Sequence, residues 1–333
     1  MNKFRKPLNK LSIIIVNFKG WESLKGCLNS LVSIKETTAL DPEVIVVDNF
    51  SNDGNLKKFK KLYPDFLFIE NEGNYGFSNG NNRGARYATG EYLLFLNPDT
   101  IVSKDAIQDM LSLAKNNLSY HIISVQQKRP SGKPENPFGV FPTGWTINGL
   151  IKTIYLQLSK KYFKKYCGSQ RVIFPDWVSG SVLMIKQEIF KKIGGWDEDF
   201  WLYYEDVDLC KRIRENGGTV ALLCDVSIIH QHGGLTRKNK KNIAFYKTEV
   251  LKSKHIYFHK HFTGISQILL QLFLVINTIF LEKLVPAIFG LIFIPFFRVR
   301  VHLFIYFYLW KYYFLALGKK TWIIPSKLIT RSH

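Results

Sequence analysis

Cysteine is scarce in this chain. Its 333 residues hold four, Cys27, Cys167, Cys210 and Cys224, set far apart and with no Cys-x-x-Cys pair. That spacing offers neither a disulfide framework nor a thiolate zinc site, and it points to a reducing compartment. Acidic residues are also few: 26 Asp and Glu stand against 46 Lys and Arg, for a formal charge of +20. Such an excess asks for an anionic partner: nucleic acid, nucleotide phosphates or an anionic lipid leaflet. No export signal is evident, because the apolar run Leu11 to Val16 is too short for a signal core and Asn17 interrupts it. The Gly-x-Gly-x-x-Gly turn of a dinucleotide-dependent oxidoreductase is missing as well; Asn17-Phe-Lys-Gly-Trp stands in its place.

What the chain does contain is alternation. Short β-branched or aromatic runs at Ser12–Val16, Glu43–Val47, Phe66–Ile69 and 91–96 read as strands. Helical spacing follows them: Leu24, Cys27, Leu28 and Leu31; Asn55 to Leu62; a glycine- and asparagine-rich opening from Asn71 that runs into a helix ending near Ala88; and Ser103, a candidate N-cap, to Lys115. Strand Ile122–Val125 completes this half, and the repeated alternation predicts a parallel, doubly wound sheet. The pattern dissolves over 127–175, where Pro130, Pro134, Pro137 and Pro142 lie among glycines and lysines. A connection of that length reads as a loop region over the site, with acceptor contacts. Order returns with a strand over Asp176–Ile185, a helix from Lys186 to Ile193, the acidic and aromatic turn Gly194–Phe200, and a helix from Tyr204 to Asn216. Strands Thr219–Leu223 and Val226–Ile229 close the domain.

Glu91-Tyr-Leu-Leu-Phe-Leu-Asn97-Pro98-Asp99 is the central stretch: a buried strand ending in an acid. Ligands of open α/β sheets bind beyond the carboxyl ends of strands, so Asp99 would stand at the mouth of a site. A carboxylate there suits a divalent cation that grips phosphate oxygens, although Asn-Pro-Asp is also an ordinary turn sequence. Asp48 ends another strand. Glu205, Asp206 and Asp208 load the first turn of a helix, either for catalysis or because the macrodipole favours acids there. Asp99 with His230 or His232 would suit Mn²⁺ or Mg²⁺ more than zinc. A separate carboxylate could then take a proton from an attacking hydroxyl.

In their order, these motifs resemble glycosyltransferase family 2, in its rhamnosyltransferase-like branch. The resemblance covers about residues 10 to 250. It rests on Ser12-Ile-Ile-Ile-Val-Asn17, Val47-Asp48-Asn49-x-Ser51-x-Asp53-Gly54, Asn74-x-Gly76-Phe77 through Asn82-x-Gly84, Leu96-Asn97-Pro98-Asp99, Val178-Ser-Gly180-Ser, and Gly194-Gly-Trp-Asp197-Glu through Tyr204-Glu-Asp206-Val-Asp208-Leu. It implies the GT-A fold, a Rossmann-like mixed sheet flanked by helices, and an inverting sugar transfer that uses a divalent cation. By the same resemblance, Asn17, Asp48, Asn49, Asn74, Gly76, Asn82, Gly84, Asn97 and Asp99 line the nucleotide-sugar pocket, with Asp48 at the nucleobase. Asp99 matches the second acid of the family's Asp-x-Asp, whose first acid is here Asn97, and His230 completes the metal shell with His232 as the fallback. Asp206 matches the catalytic base, with Glu205 beside it. Trp177, Gly180, Trp196 and Asp197 match the acceptor wall.

The catalytic domain is expected over residues 1–255 and a membrane-associated helical tail over 256–333. Gly264 to Leu281 carries no charge, Leu284 to Phe297 is apolar but shorter, and an aromatic run from Leu303 to Trp310 follows Arg298 and Arg300. Tyr, Trp, Lys and Arg bordering apolar runs compose a membrane interface. The expected partners are thus a nucleotide-diphosphosugar, a glycan or lipid-linked acceptor, and the anionic cytoplasmic face of the cell membrane. A non-catalytic nucleic-acid or membrane module would explain the charge but not the ordered acids at strand ends, so no nucleic-acid partner is expected. A polyprenyl-phosphate sugar synthase is the nearest rival within the fold.

Overall fold

The computed structural model describes residues 11–37, 40–158, 170–231, 240–292 and 297–326. Its first strand, β1 (Leu11–Asn17), is buried at every position, as a β-branched run without polar alternation requires. It is followed by α1 (Trp21–Thr37), β2 (Glu43–Asp48), α2 (Asn55–Leu62), β3 (Leu67–Glu70), α3 (Phe77–Tyr87) and β4 (Tyr92–Leu96). Next come β5 (Thr100–Ile101), α4 (Lys104–Asn116), β6 (Tyr120–Lys128), β7 (Phe138–Gly139) and two helices, α5 (Gly144–Ile147) and α6 (Gly149–Leu158). After them run β8 (Val172–Ile173), β9 (Trp177–Val178), β10 (Val182–Lys186), α7 (Gln187–Lys192), α8 (Glu205–Glu215) and β11 (Thr219–His230). The remainder is helical: α9 (Lys240–His261), α10 (Gly264–Ile276), a π-helical stretch Asn277–Lys283, α11 (Leu284–Ile292) and α12 (Phe297–Lys319).

These elements form two compact units. The first comprises Met1–Phe141, Tyr162–Asp197 and Glu205–His232; the second comprises Pro142–Lys161, Glu198–Tyr204 and Gly233–His333. The boundary expected at residue 255 falls inside α9. In the first unit the main sheet has the order β3-β2-β1-β4-β10-β6-β11-β5, with β8 on β11. β1 pairs in parallel with β2 and β4, and β2 with β3. β10 then runs antiparallel to both β4 and β6. The parallel pairing that alternation predicts for the first half holds for β1 to β4, and the sheet as a whole is mixed, as the family resemblance implies; a local pattern carries no information about the direction of a distant partner strand such as β10. β11 is one strand with a register shift between Leu223 and Ser227, where two strands were expected.

Side chains that alternate along the strands fill two layers. Ile13, Ile15, Val46, Leu94 and Leu96 pack with Leu24, Leu28 and Met110 of the helices on one face. Ile14, Leu93, Phe95 and Leu183 pack with Ala85, Phe190 and Leu209 on the other. Helix α3 lies close on the sheet because Gly80 and Gly84 have no side chain there. A Cβ at Gly84 would stand 2.5 Å from the Ile14 methyl, and one at Gly80 2.7 Å from Val16. Helix α4 begins where its cap requires, with Ser103 Oγ accepting from the Ala106 amide at 3.3 Å. Cys27 and Cys210 are buried and free, but Cys224 is disulfide-bonded. A single bonded cysteine is not the disulfide framework that the spacing spoke against, and distance along the chain does not limit distance in the fold. Cys167 lies outside the described residues.

In the second unit, α9 and α12 enclose a core of Ala244, Leu251, Val301, Ile305 and Leu309. Lys252, 1% exposed, donates to Glu249 at 2.8 Å and to Ser326 Oγ at 2.8 Å. Ser326 in turn donates to Glu249 at 2.6 Å. Burial pushes the Lys252 ammonium down from its ordinary value, and the Glu249 charge opposes that. His255 bonds Gln271 and Tyr313 and stacks on Trp322. Burial pushes its imidazole down to about 3, so the ring is neutral at neutral pH.

Alanine at Gly84 tests the packing of α3. On helix propensity alone the change stabilises by about 1 kcal/mol. The approach to Ile14 reverses the sign, and urea unfolding is expected to show a net loss of about 1–3 kcal/mol. An equal or higher stability would mean that α3 does not rest on β1 at this distance.

Candidate active site

Three groups of polar side chains collect at the ends of strands in the first unit. At the end of β2, Asp48 is 1% exposed, and its carboxylate accepts from the Ser51 hydroxyl and, at 3.1 Å, from the Ser51 amide. Burial pushes its carboxyl up and the charges of Asp53 and Glu70 add to that, against the Ser51 hydrogen bonds. Beside it is a lattice of amides. Asn49 donates to Asn74 Oδ1 at 2.9 Å and to the Gly76 carbonyl at 3.0 Å, and Asn71 donates to Asn49 Oδ1 at 2.8 Å. Asn17 accepts from the Gly20 amide through Oδ1, while its buried Nδ2 has no partner among the described residues. A buried donor left this way is a vacancy in the hydrogen-bond pattern that a ligand acceptor can fill.

The second group stands beyond β4. Asn97 to Thr100 is a turn, closed by the Thr100 amide on the Asn97 carbonyl at 3.2 Å, and it also sets Asp99 at the rim. Asp99 Oδ1 lies 3.1 Å from His230 Nε2. The other ring nitrogen, Nδ1, is 2.9 Å from Gln127 Oε1. Gln127 is oriented by its own donor, which reaches Ser181 Oγ at 2.7 Å, so Nδ1 carries the proton and Nε2 faces the carboxylate. Two acceptors at that distance are held together by a proton or a cation. Glu135 Oε2 lies 3.9 Å from Nδ1 and is paired with Arg129 at 2.7 Å through its other oxygen.

The third group opens α8. Asp206 Oδ2 accepts from the Gly180 amide at 3.0 Å and Oδ1 from the Val207 amide at 2.8 Å. Burial pushes its carboxyl up, and those amides pull it back. Glu205 is buried, and its Oε2 has no partner among the described residues. Burial, then the Asp206 charge, push its carboxyl well above the ordinary glutamate range. Asp208 is spoken for: Arg212 grips it at 2.7 Å and donates to the carbonyls of Ile193 and Gly195. Three acids within four residues therefore have three different surroundings. The chain enters α8 through Tyr203 and Tyr204, both left-handed at φ 70.

The remaining expected residues are placed as follows. Asn82 has its amide clasped on Trp196, donating to the carbonyl at 2.8 Å and accepting from the amide at 2.9 Å. Gly84 faces Ile14 and Val47 under α3. Asn97 binds the Ser181 carbonyl through its backbone at 2.9 Å. Trp196 is 1% exposed, edge-on to Phe77 and Phe95 in the core. A Cβ at Gly180 would meet that ring at 3.3 Å and Asp206 at 3.4 Å. Trp177 is half-buried and donates to the Val140 carbonyl at 2.9 Å, and Asp197 ends the turn beyond Trp196. His232 lies outside the described residues. Gln127 and Glu135 were not singled out by the sequence reading, and Ser181 entered it only as the end of the Val178-Ser-Gly180-Ser motif. The available signal was a glutamine two residues past an apolar strand end, which is where β6 in fact continues.

A donor set of one carboxylate and one imidazole fits Mn²⁺ or Mg²⁺ completed by water and phosphate oxygens. Among the described residues, no three His, Cys, Asp or Glu side chains converge on a fuller cage.

The family model described as glycosyl transferase family 2 matches residues 12–179, and one described as the N-terminal domain of galactosyltransferase matches residues 174–235. Over 300 residues the chain is 29% identical to a low-salt glycan biosynthesis hexosyltransferase of Haloferax volcanii, covering 85% of this chain and 90% of that one. It is 30% identical over 213 residues to the rhamnosyltransferase WbbL of Escherichia coli, covering 60% and 75% respectively. Among solved structures, a mannosyltransferase of Pyrobaculum calidifontis, in complex with GDP-Man and Mn²⁺, superposes with a TM-score of 0.52 at 14% identity, over 81% of this chain and 70% of that one. That likeness establishes the fold, which is GT-A.

The state of Glu205 makes a testable difference. A carboxyl raised on folding adds stability below its unfolded value of about 4.3 and loses it as pH climbs through the folded value. Urea unfolding of Glu205→Gln and wild type, compared at about pH 5 and about pH 8, is expected to shift in favour of the variant at the higher pH. A constant difference between the two would place an ordinary, solvated carboxylate at this position.

Proposed function

Because the chain belongs to glycosyl transferase family 2, we propose that it makes an inverting transfer from a nucleotide-diphosphosugar to a hydroxyl of a glycan or lipid-linked acceptor. The step belongs to glycan or polysaccharide synthesis, at the cytoplasmic face of the cell membrane. The likeness to an Escherichia coli rhamnosyltransferase supports rhamnose from dTDP-rhamnose as the sugar moved.

One observation carries the chemical assignment. A hydrogen-bond path runs from Asp99 through His230 and Gln127 to Ser181, and the adjacent Gly180 amide holds Asp206. The tripeptide Ser179 to Ser181 thus fixes the base and the cation ligands to one strand end. In the proposed reaction Asp206 takes the proton of the acceptor hydroxyl as its oxygen bonds to the anomeric carbon, and the nucleoside diphosphate leaves from the opposite side. Burial raises the basicity of Asp206, and the two amide hydrogen bonds aim its lone pairs. Mn²⁺ or Mg²⁺ held by Asp99 and His230 would neutralise the charge gathering on the leaving diphosphate. Asp48 and the Nδ2 group of Asn17 offer an acceptor and a donor for a nucleobase or ribose, and Asn49 holds the loop beside them through Asn71, Asn74 and Gly76.

Calorimetry across dTDP-, UDP- and GDP-sugars, with and without Mn²⁺, tests this reading. Wild type should bind one class in a metal-dependent way, with dTDP-rhamnose expected to bind. Asp99→Ala should lose the metal dependence. Asp206→Asn should bind donor normally while turnover falls by about 10²–10⁴-fold. If wild type binds no nucleotide sugar with either metal, the transfer assignment fails.

A further inference from the structure

One helix among the described residues, Gly264–Phe289, is long and apolar enough to cross a bilayer. It has 26 residues, a mean hydropathy of 2.0, and only 28% of its most apolar stretch buried. The core helix of a soluble protein would be mostly covered. Here Ile265, Ile268, Leu269, Leu272 and Ile276 are between 50% and 76% exposed, at the i, i+3, i+4 spacing of one helical face. Helix α11 continues the exposure at Val285, Ile288 and Phe289.

The other face of this helix is polar and already engaged. Gln271 donates to the His255 carbonyl at 2.8 Å and accepts from its ring. Gln267 reaches the His259 carbonyl at 2.7 Å. Asn277 donates to Glu282 at 2.8 Å and accepts from Asn148 at 2.9 Å. Helix α9 therefore runs alongside α10, and besides the internally paired Lys252 it carries Lys247, exposed, and Lys254 and Lys260, half-buried. If α10 spanned a bilayer, the ammonium groups of Lys247, Lys254 and Lys260 would be carried toward hydrocarbon beside it, which is costly for a charged side chain. Lying in the plane of a leaflet, α10 wets only its apolar face and leaves α9 outside.

Charge selects the leaflet. From Gly233 to His333 the sequence has 16 Lys and Arg but two acids, Glu249 and Glu282. Both acids are turned to internal partners, Glu249 to Lys252 and Ser326, Glu282 to Asn277 and Lys283. Nothing acidic in this stretch opposes an anionic surface.

We infer that the exposed face of α10 and α11 is an in-plane anchor, seated roughly 5–10 Å into an anionic leaflet, and that it does not cross the bilayer. This goes beyond the transfer reading and does not depend on it.

Flotation of the full chain with phosphatidylcholine vesicles, and with vesicles carrying about one-third phosphatidylglycerol, tests the first half. Binding is expected to the anionic vesicles and to weaken with salt. Ile268→Glu together with Leu272→Glu should reduce it about tenfold or more, with helicity retained. Depth tests the second half. Ile265→Cys, Leu272→Cys and Leu281→Cys, each labelled with an environment-sensitive fluorophore, should all be quenched equally by shallow spin-labelled lipids. Deepest quenching at Leu272 with shallow ends would mean a span and overturn the in-plane assignment. Failure to float with either vesicle, in a protein that sediments as a dimer dissociated by Ile268→Glu, would give the face to a second copy and overturn the anchor.

Discussion

The rim of this protein depends on one antiparallel pairing, that of β10 against the end of β4. Parallel strands would place the start of β10 at the far side of the sheet. Reversal puts Ser181 opposite the end of β4, where its carbonyl takes the Asn97 amide at 2.9 Å. From that single junction the turn bearing Asp99 goes one way and the Gly180 amide reaches α8 the other way. β6 flanks β10 on its other edge, which is why Gln127 can touch both Ser181 and His230. Groups at the ends of β4, β6 and β11, before β10 and at the start of α8 are linked through that junction without any one of them needing a long reach.

Environment, more than residue type, separates the carboxylates. Asp208 is neutralised by Arg212 and serves to tie α8 to the Gly194–Trp196 turn. Asp206 keeps two amide donors that oppose its burial, whereas at Glu205 burial and the Asp206 charge outweigh a backbone hydrogen bond. Packing of ionisable groups at a helix start often sets their protonation states apart, and the states then define the roles. The same principle governs Asn82 and Trp196. Both belong to the motif that marks the family, yet each has its polar or aromatic surface committed to holding the turn in place. Their contribution to the pocket is the position of the backbone around them.

Much of the fold was legible in the chain. The strands near Ser12, Glu43 and Tyr92, the helix Asn55–Leu62 and the Ser103 cap all follow from local pattern, because each rests on contacts within a few residues or on burial of a whole run. The two-residue strands β5, β7, β8 and β9 were not legible, since two residues have no period. Nor was the direction of β10, which only its neighbours define. Over 127–175 the prolines suggested loop alone, although Leu150, Ile151, Ile154 and Leu158 have helical spacing and α6 forms there. For the site, sequence order placed Asp48, Asp99, Asp206 and His230 at element ends. The glutamine that orients His230 was hidden, because its partners lie 54 and 103 residues away.

The cluster of Lys252, Glu249 and Ser326 bears on where the chain can be shortened. An ammonium buried this fully is tolerable because two oxygens of Glu249 and the Ser326 hydroxyl surround it. Trimming that removes Ser326 withdraws one of those oxygens and leaves the others to hold the charge, a loss of the kind that costs a few kcal/mol when a buried ionic group is left short of partners. Its hydroxyl therefore makes Ser326 a structural part of the helical unit.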